Sequence, residues 1–181
     1  MNTFAMSKNC KLFRKVMCLG ACIVIVSTCA LAWGVKNITI NLSPSLPGHV
    51  YLRTDRPVTR GAIVNWCPED PRMAEILRTI TPYHTNQSAR GPSGEMPLLK
   101  IVRAMPGDQV EADGLSKLKV NGQEVISTTP NPFTPLPRWT YKGIMPEGEI
   151  LLYGLHPDSF DSRYVGMFAL KDVESVMIEL F

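Results

Sequence analysis

The sequence predicts a mainly β domain carried behind one membrane-spanning helix, and three observations predict it. An uncharged run over residues 16–35 follows a basic N-terminus. Short apolar or alternating stretches, separated by Gly, Pro and Asn-Gly turns, fill most of the remainder. Helical spacing beyond the N-terminal run shows only over residues 71–80. Many short strands with little helix argue for an antiparallel architecture. At 181 residues the chain can bury a substantial core, and a net charge of +3 is too small to argue for nucleic acid as a partner.

Lys8, Lys11, Arg14 and Lys15 precede the uncharged run VMCLGACIVIVSTCALAWGV. At helical rise its roughly 20 residues cover about 30 Å, the thickness of a bilayer core. Basic residues before it and none within it predict residues 1–15 in the cytoplasm, 16–35 in the membrane and 36–181 on the outer side. Trp33 falls where an interfacial aromatic belongs. Ala30-Leu31-Ala32 also fits a signal peptide cut before Trp33, and Cys29 a lipidated cysteine, although Thr28 suits that pattern poorly. The length of the run favours an uncleaved anchor, and all three readings export the domain. Cys10, Cys18, Cys22 and Cys29 lie in or before this segment, which leaves Cys67 without a disulfide partner in the exported part. His49, His84 and His156 are scattered and show no zinc-ligand spacing.

Along the exported part, residues 61–66 read as a strand ending at Cys67-Pro68. Residues 71–80 place Met73, Ile76, Leu77 and Ile80 on one helical face behind an initial proline. A polar loop follows over 81–94, long enough for an active-site flank or a mobile insert. Residues 118–126 form a hairpin around Asn121-Gly122, the pair that supplies two positive-φ positions. Residues 128–138, with four prolines, are a loop, and 148–154 and 173–180 are further strands. The stretch HPDSFDSRYVG over 156–166 is polar and turn-like before it enters a strand.

Two segments carry chemistry. In PLLKIVRAMPGD, residues 97–108, strand alternation puts Leu98, Lys100, Val102 and Ala104 on one face. An ammonium among apolar neighbours is poorly solvated, its pKa falls, and a neutral lysine can act as a general base. The competing reading is a lysine that snorkels to water from an edge strand. In NLSPSLPGHVY, residues 41–51, Pro44 and Pro47 hold Ser45 in a defined bend, suited to a nucleophile presented at a fixed angle. The competing reading there is an ordinary linker between anchor and domain.

Taken together, Ser45-Leu46-Pro47, Leu99-Lys100 with Pro106-Gly107-Asp108, and Ser159-Phe160-Asp161-Ser162-Arg163-Tyr164 occur in an order that resembles the bacterial type I signal peptidases. The likeness is greatest to the TraF-type branch of conjugal-transfer peptidases, through Asn41, Ser43, Ser45, Pro47 and Tyr51. The chain departs from the branch in having Gly48 before His49, where a basic residue usually precedes the glycine, and in Ala62, where an acidic residue is frequent. The resemblance implies a signal peptidase-like antiparallel β domain in the periplasm, tethered to the inner membrane, with Ser45 as nucleophile and Lys100 as general base and acid. It further implies an oxyanion hole from the Ser45 amide and the Ser43 hydroxyl. Ser159 would bond the Lys100 amine and aim it at Ser45, and an Asp161–Arg163 ion pair would support the site. The implied substrate is an exported, pilin-like precursor, hydrolysed or cyclised, and no cofactor or metal is required. The tether between anchor and Ser45, about ten residues, reaches at most ~36 Å, so the site is expected at the membrane surface.

Other classes fit less well. A Ser-His-Asp hydrolase lacks its Gly-x-Ser-x-Gly elbow. A self-cleaving repressor would need a DNA-binding domain where this chain has an anchor. A general secretory signal peptidase and a non-catalytic envelope scaffold remain the alternatives; a scaffold has no use for a lysine on an apolar strand face.

Overall fold

The computed structural model describes residues 3–70, 73, 75, 76, 97–114, 117–126, 138–157 and 159–181. They form two compact units, Met1–Ile38 and Thr39–Phe181. The first is a single helix, α1 (Thr3–Asn37), whose Lys15–Asn37 stretch is long and apolar enough to cross a membrane. Its polar side chains return to the helix itself. The Thr28 hydroxyl donates to the Val24 carbonyl at 2.7 Å and the Asn37 amide to the Trp33 carbonyl at 2.8 Å, the local solution that a hydrocarbon environment demands.

The second unit is built on eleven strands among the described residues. They are β1 (Ile38–Ile40), β2 (Val50–Thr54), β3 (Ile63–Trp66), β4 (Leu98–Ala104), β5 (Gln109–Asp113), β6 (Leu118–Val120), β7 (Gln123–Ile126), β8 (Thr140–Ile144), β9 (Glu149–Tyr153), β10 (Phe168–Ala169) and β11 (Val173–Glu179). A short helix, α2 (Ser162–Val165), and a 3₁₀ turn, Leu170–Asp172, lie between β9 and β11. One sheet runs β1-β2-β11-β3-β4-β9-β10 and the other β7-β6-β5-β8. The pairs from β2 across to β10, and all pairs of the smaller sheet, are antiparallel. The mainly β, antiparallel architecture expected from the sequence is the one observed.

Three apolar clusters hold the domain. Val64, Trp66, Leu98, Val102, Leu152 and Phe168 belong to the first, where the Trp66 and Phe168 rings meet edge-on at 4.7 Å. Val110, Leu118, Val120, Met145 and Leu151 belong to the second, under the small sheet. Leu46, Tyr51, Leu99 and Met177 make the third, on the face of the large sheet opposite to Leu98 and Val102. Each such side chain contributes roughly 1.5–3 kcal/mol on burial. The outer face of the small sheet carries alternating charge across the strands, Glu124 opposite Lys119, Lys119 opposite Glu111 and Glu111 opposite Lys142. Opposite charges so placed favour this register over a slipped one.

The hairpin expected over 118–126 is present, with Asn121 at φ 53° and Gly122 at φ 78° in its turn. The strands expected over 61–66, 148–154 and 173–180 appear as β3, β9 and β11. Of the helix expected over 71–80, Met73, Glu75 and Ile76 are described and helical, and Met73 packs against the first core. Its remaining residues lie outside the described residues, as do the 81–94 loop and the 128–138 loop apart from Arg138. One expectation needs correction. Simple alternation put Ala104 on the face of Leu98 and Val102, but the β4–β9 register shifts between Val102 and Ala104, and Ala104 packs into the second core. A bulge re-aims the strand, and here it delivers β4 from the large sheet towards the small one.

That junction is pinned by Asp108. Its carboxylate accepts from the Met105 amide at 2.8 Å, from Asn121 Nδ2 at 3.0 Å and from both Arg60 Nε and Nη2. Burial pushes the Asp108 carboxyl up, yet the bonds from Met105, Arg60 and Asn121 outweigh it and hold the group below its usual value. This stabilisation is present above the unfolded carboxylate pKa and is lost as pH falls through the lower folded one. Asp108→Ala is expected to cost about 2–3 kcal/mol at pH 7. Denaturant melts of both forms should converge as the pH falls through the lowered Asp108 pKa.

Candidate active site

The site begins with the backbone of β9. Ile101 pairs with Tyr153 at the end of β9, so Lys100 and Gly154 are the chain neighbours of that last pair. On the other flank Lys100 pairs with Val64, which is fully buried. Lys100 itself is 3% exposed, which removes the snorkelling alternative. Burial lowers its pKa from 10.5 to about 8; Asp161 opposes that shift and Arg163 adds to it.

Gly154 leaves room for what meets above it. A Cβ built there would stand 2.7 Å from Ser159 Cβ and 3.2 Å from Ser45 Cβ, and closer still to Ser159 Oγ. The glycine is therefore a packing requirement of the two serines. The residue had no signature in the sequence beyond a glycine at a strand end. Leu155 N–H donates to the Ser45 carbonyl at 2.7 Å, so the chain leaving β9 also fixes the Ser45 backbone.

Three hydroxyls converge. Ser43 Oγ donates to Ser45 Oγ at 2.9 Å, Ser159 Oγ donates to Ser45 Oγ at 3.1 Å, and the Ser45 amide donates to Ser43 Oγ at 3.2 Å. Ser45 and Ser159 are buried and Ser43 is partly so. The Ser159 hydroxyl, which the resemblance aims at the Lys100 amine, donates to Ser45 Oγ. The bend expected at Ser45 is present, and it is tied down by side chains. Asn41 Oδ1 accepts the Ser43 amide at 3.0 Å, while its Nδ2 donates to the carbonyls of Leu46 at 3.1 Å and Gly48 at 2.9 Å. The Gly48 amide donates to the Tyr51 hydroxyl at 3.1 Å. Gly48 has its own reason for lacking a side chain, since a Cβ there would lie 2.6 Å from Cγ and Cδ of Glu179.

Asp161 and Arg163 form a buried pair, 0% and 4% exposed. Arg163 Nε meets Asp161 Oδ1 at 2.8 Å and Nη2 meets Oδ2 at 2.6 Å, a fork-to-fork contact. Asp161 also caps α2 through the Arg163 amide and accepts the Gly154 amide on Oδ2 at 2.9 Å. Arg163 donates onward to the His156 carbonyl at 2.8 Å and lies over the Tyr153 ring at 5.7 Å. A surface ion pair of this kind would be worth under ~1 kcal/mol. Breaking a buried one by removing either partner typically costs about 3–5 kcal/mol. The pair thus locks the 156–166 turn against the strand end that presents Gly154.

Ser45, Ser43, Ser159, Asp161 and Arg163 are linked through these bonds and Gly154, and Lys100 lies on the neighbouring strand β4, where Asp161 and Arg163 act on its charge. Among the described residues no group of His, Cys, Asp or Glu is placed to hold a metal ion. A groove of about 270 Å³ on the small sheet, lined in part by Lys119, Tyr141 and Lys142, shares no residue with this site.

The family described as signal peptidase, peptidase S26, matches residues 11–179. The chain belongs to that family. It is 32% identical over 150 residues to a probable conjugal transfer protein TraF of Sinorhizobium fredii, covering 78% of this chain and 74% of that one. It is 30% identical to a conjugal transfer protein TraF of Agrobacterium tumefaciens, covering 84% and 87% respectively. Within the S26 family it is therefore of the TraF type. A signal peptidase I of Enterococcus faecalis superposes with a TM-score of 0.40 at 18% identity, over 69% of this chain and all of that one.

Because burial penalises the ammonium form, the unfolded chain holds the Lys100 proton more tightly between pH 8 and 10.5, and stability rises with pH across that window. Lys100→Met is expected to stabilise the detergent-solubilised protein at pH 7 by on the order of 1–3 kcal/mol. Thermal melts should show that advantage shrinking as the pH approaches 10.5. A constant difference from pH 6 to 11 would contradict a buried, readily neutralised amine.

Proposed function

We propose that the chain is a membrane-anchored serine endopeptidase using a Ser45–Lys100 dyad to process exported precursors. What carries the reading is the convergence of Ser43, Ser45 and Ser159 above a side-chain-free Gly154, and, on the neighbouring strand, a buried lysine whose pKa is about 8. Neutral Lys100 accepts the Ser45 proton as Oγ adds to the scissile carbonyl, and the lysine then returns a proton to the leaving amine. Water resolves the acyl-enzyme; capture by the substrate's own N-terminal amine would give a cyclic product instead. The oxyanion is met by the Ser45 amide and the Ser43 hydroxyl. Both now bond within the loop, and both are released to the substrate oxygen when it arrives. Pro44 has no N–H, so a side-chain donor from Ser43 supplies what the backbone at 44 does not. Ser159 holds Ser45 Oγ in place, and the Asp161–Arg163 pair holds the turn that carries Ser159.

The substrate and setting follow from the relatives. Proteins named for conjugal transfer are similar over most of their length, which favours a pilin-like precursor of a type IV secretion system. The basic residues before the Lys15–Asn37 stretch support an N-terminus in the cytoplasm and a catalytic domain in the periplasm.

Intact-mass spectrometry of such precursors, co-expressed with the wild type or with Ser45→Ala, tests the reading. A Ser45-dependent loss of a peptide is expected, and a further loss of one water marks cyclisation. Masses that never change would favour a general preprotein substrate or a scaffold. Lys100→Arg should be as inactive as Lys100→Ala, since arginine stays charged. For the wild type kcat should rise with pH and level off above about 8, as the amine becomes neutral. Gly154→Ala should lower kcat by ~10²-fold or more, because its methyl displaces Ser159 and Ser45.

A further inference from the structure

The loop that presents Ser45 lies between β1 and β2 and has no ladder or helix of its own from Leu42 to His49. Pro44 and Pro47 remove two of its backbone donors. Its geometry must therefore come from side chains. Asn41 is 9% exposed, and every hydrogen-bonding atom of its carboxamide that the loop can use is engaged. Oδ1 accepts the Ser43 amide at 3.0 Å, on the N-terminal side of Ser45, an Asx-type local turn. Nδ2 donates to the Leu46 and Gly48 carbonyls at 3.1 and 2.9 Å, on the C-terminal side. One planar group thus spans the nucleophile. The Asn41 amide in turn donates to the His49 carbonyl at 2.8 Å, closing the base of the loop.

We infer that Asn41 is a positioning residue that sets the direction of the Ser43 hydroxyl, and through it the oxyanion site; the inference rests on the peptidase reading. Ser43 has its main chain fixed by Asn41 and its hydroxyl engaged with Ser45 from both sides, as donor to Oγ and acceptor from the amide. Rotating or releasing the Ser43 backbone moves the hydroxyl off the place where negative charge develops, and misplacing such a donor costs about 10²-fold or more. The chemistry selects asparagine. Aspartate keeps the acceptor for the Ser43 amide but sets a carboxylate oxygen against two carbonyls that need donors. Glutamine carries the same donors one methylene further out, into a closed loop.

The test is a double-mutant cycle on Ser45-dependent cleavage, with hydrogen–deuterium exchange of the 41–51 segment measured in the same full-length proteins. Asn41→Ala should lower kcat by ~30–100-fold with KM changed less than ~3-fold, and Ser43→Ala by a similar factor. If Asn41 acts through Ser43, adding Asn41→Ala to Ser43→Ala should cost less than ~3-fold more. The pH at which kcat levels off should stay near that of the wild type, because Asp161 and Arg163, which act on Lys100, lie on another element. Exchange in 41–51 should quicken in Asn41→Ala and stay the same elsewhere. Multiplicative losses in the double variant, or full kcat in Asn41→Asp, would overturn the inference. Where Asn41→Ala fails to fold, Asn41→Asp takes its place in the cycle. Should the wild type show no Ser45-dependent cleavage, the peptidase reading falls on its own. The exchange data then decide whether Asn41 holds the loop, and unchanged exchange rejects it.

Discussion

The burial of one amine is the constraint on which the rest of this structure turns. Lys100 stands 3% exposed on the face of β4 that also carries Leu98 and Val102. Desolvation there disfavours its charge more than Asp161 can restore it, since Arg163 stands with Asp161 and works the other way. Arg163 offsets part of what Asp161 restores to the ammonium, and the ion pair holds its turn rigid.

Around the end of β9 the packing centres on Gly154, which lacks a side chain where Ser159 and Ser45 stand. Asp161 takes the Gly154 amide, caps α2 and binds Arg163, so one carboxylate joins the strand end to the turn carrying Ser159. The loop holding Ser45 is secured independently, by Asn41 within it and by Leu155 and Tyr51 around it. Site and fold share the same atoms, and their stabilities are linked for that reason.

The two sheets are joined through a related economy. β4 serves the large sheet up to Val102, passes a bulge, and with Ala104 enters the second core. Asp108 then fixes the turn into β5 and reaches Asn121 in the β6–β7 turn. The strand that carries the lysine is thus the strand both cores depend on, which explains why residues 97–108 read so clearly as a unit in the sequence.

Much was legible in that sequence. Alternation around Lys100 gave its apolar face, Asn121-Gly122 gave the hairpin, the charge-free run gave α1, and prolines around Ser45 gave the bend. These are local signals, set by backbone sterics and side-chain period. What sequence could not supply was long-range register. That Ser159 bonds Ser45 depends on how two distant loops pack, and that Ala104 belongs to a different core from Val102 follows from the bulge in the β4–β9 pairing. The Asp161–Arg163 spacing is equally consistent with a solvated pair, and only packing against Tyr153 and the strand end makes it buried. The candidate residues were thus determined by the sequence. Their placement was decided by tertiary structure, because a one-residue change of register would turn Lys100 to the other face of the sheet while leaving every local pattern intact.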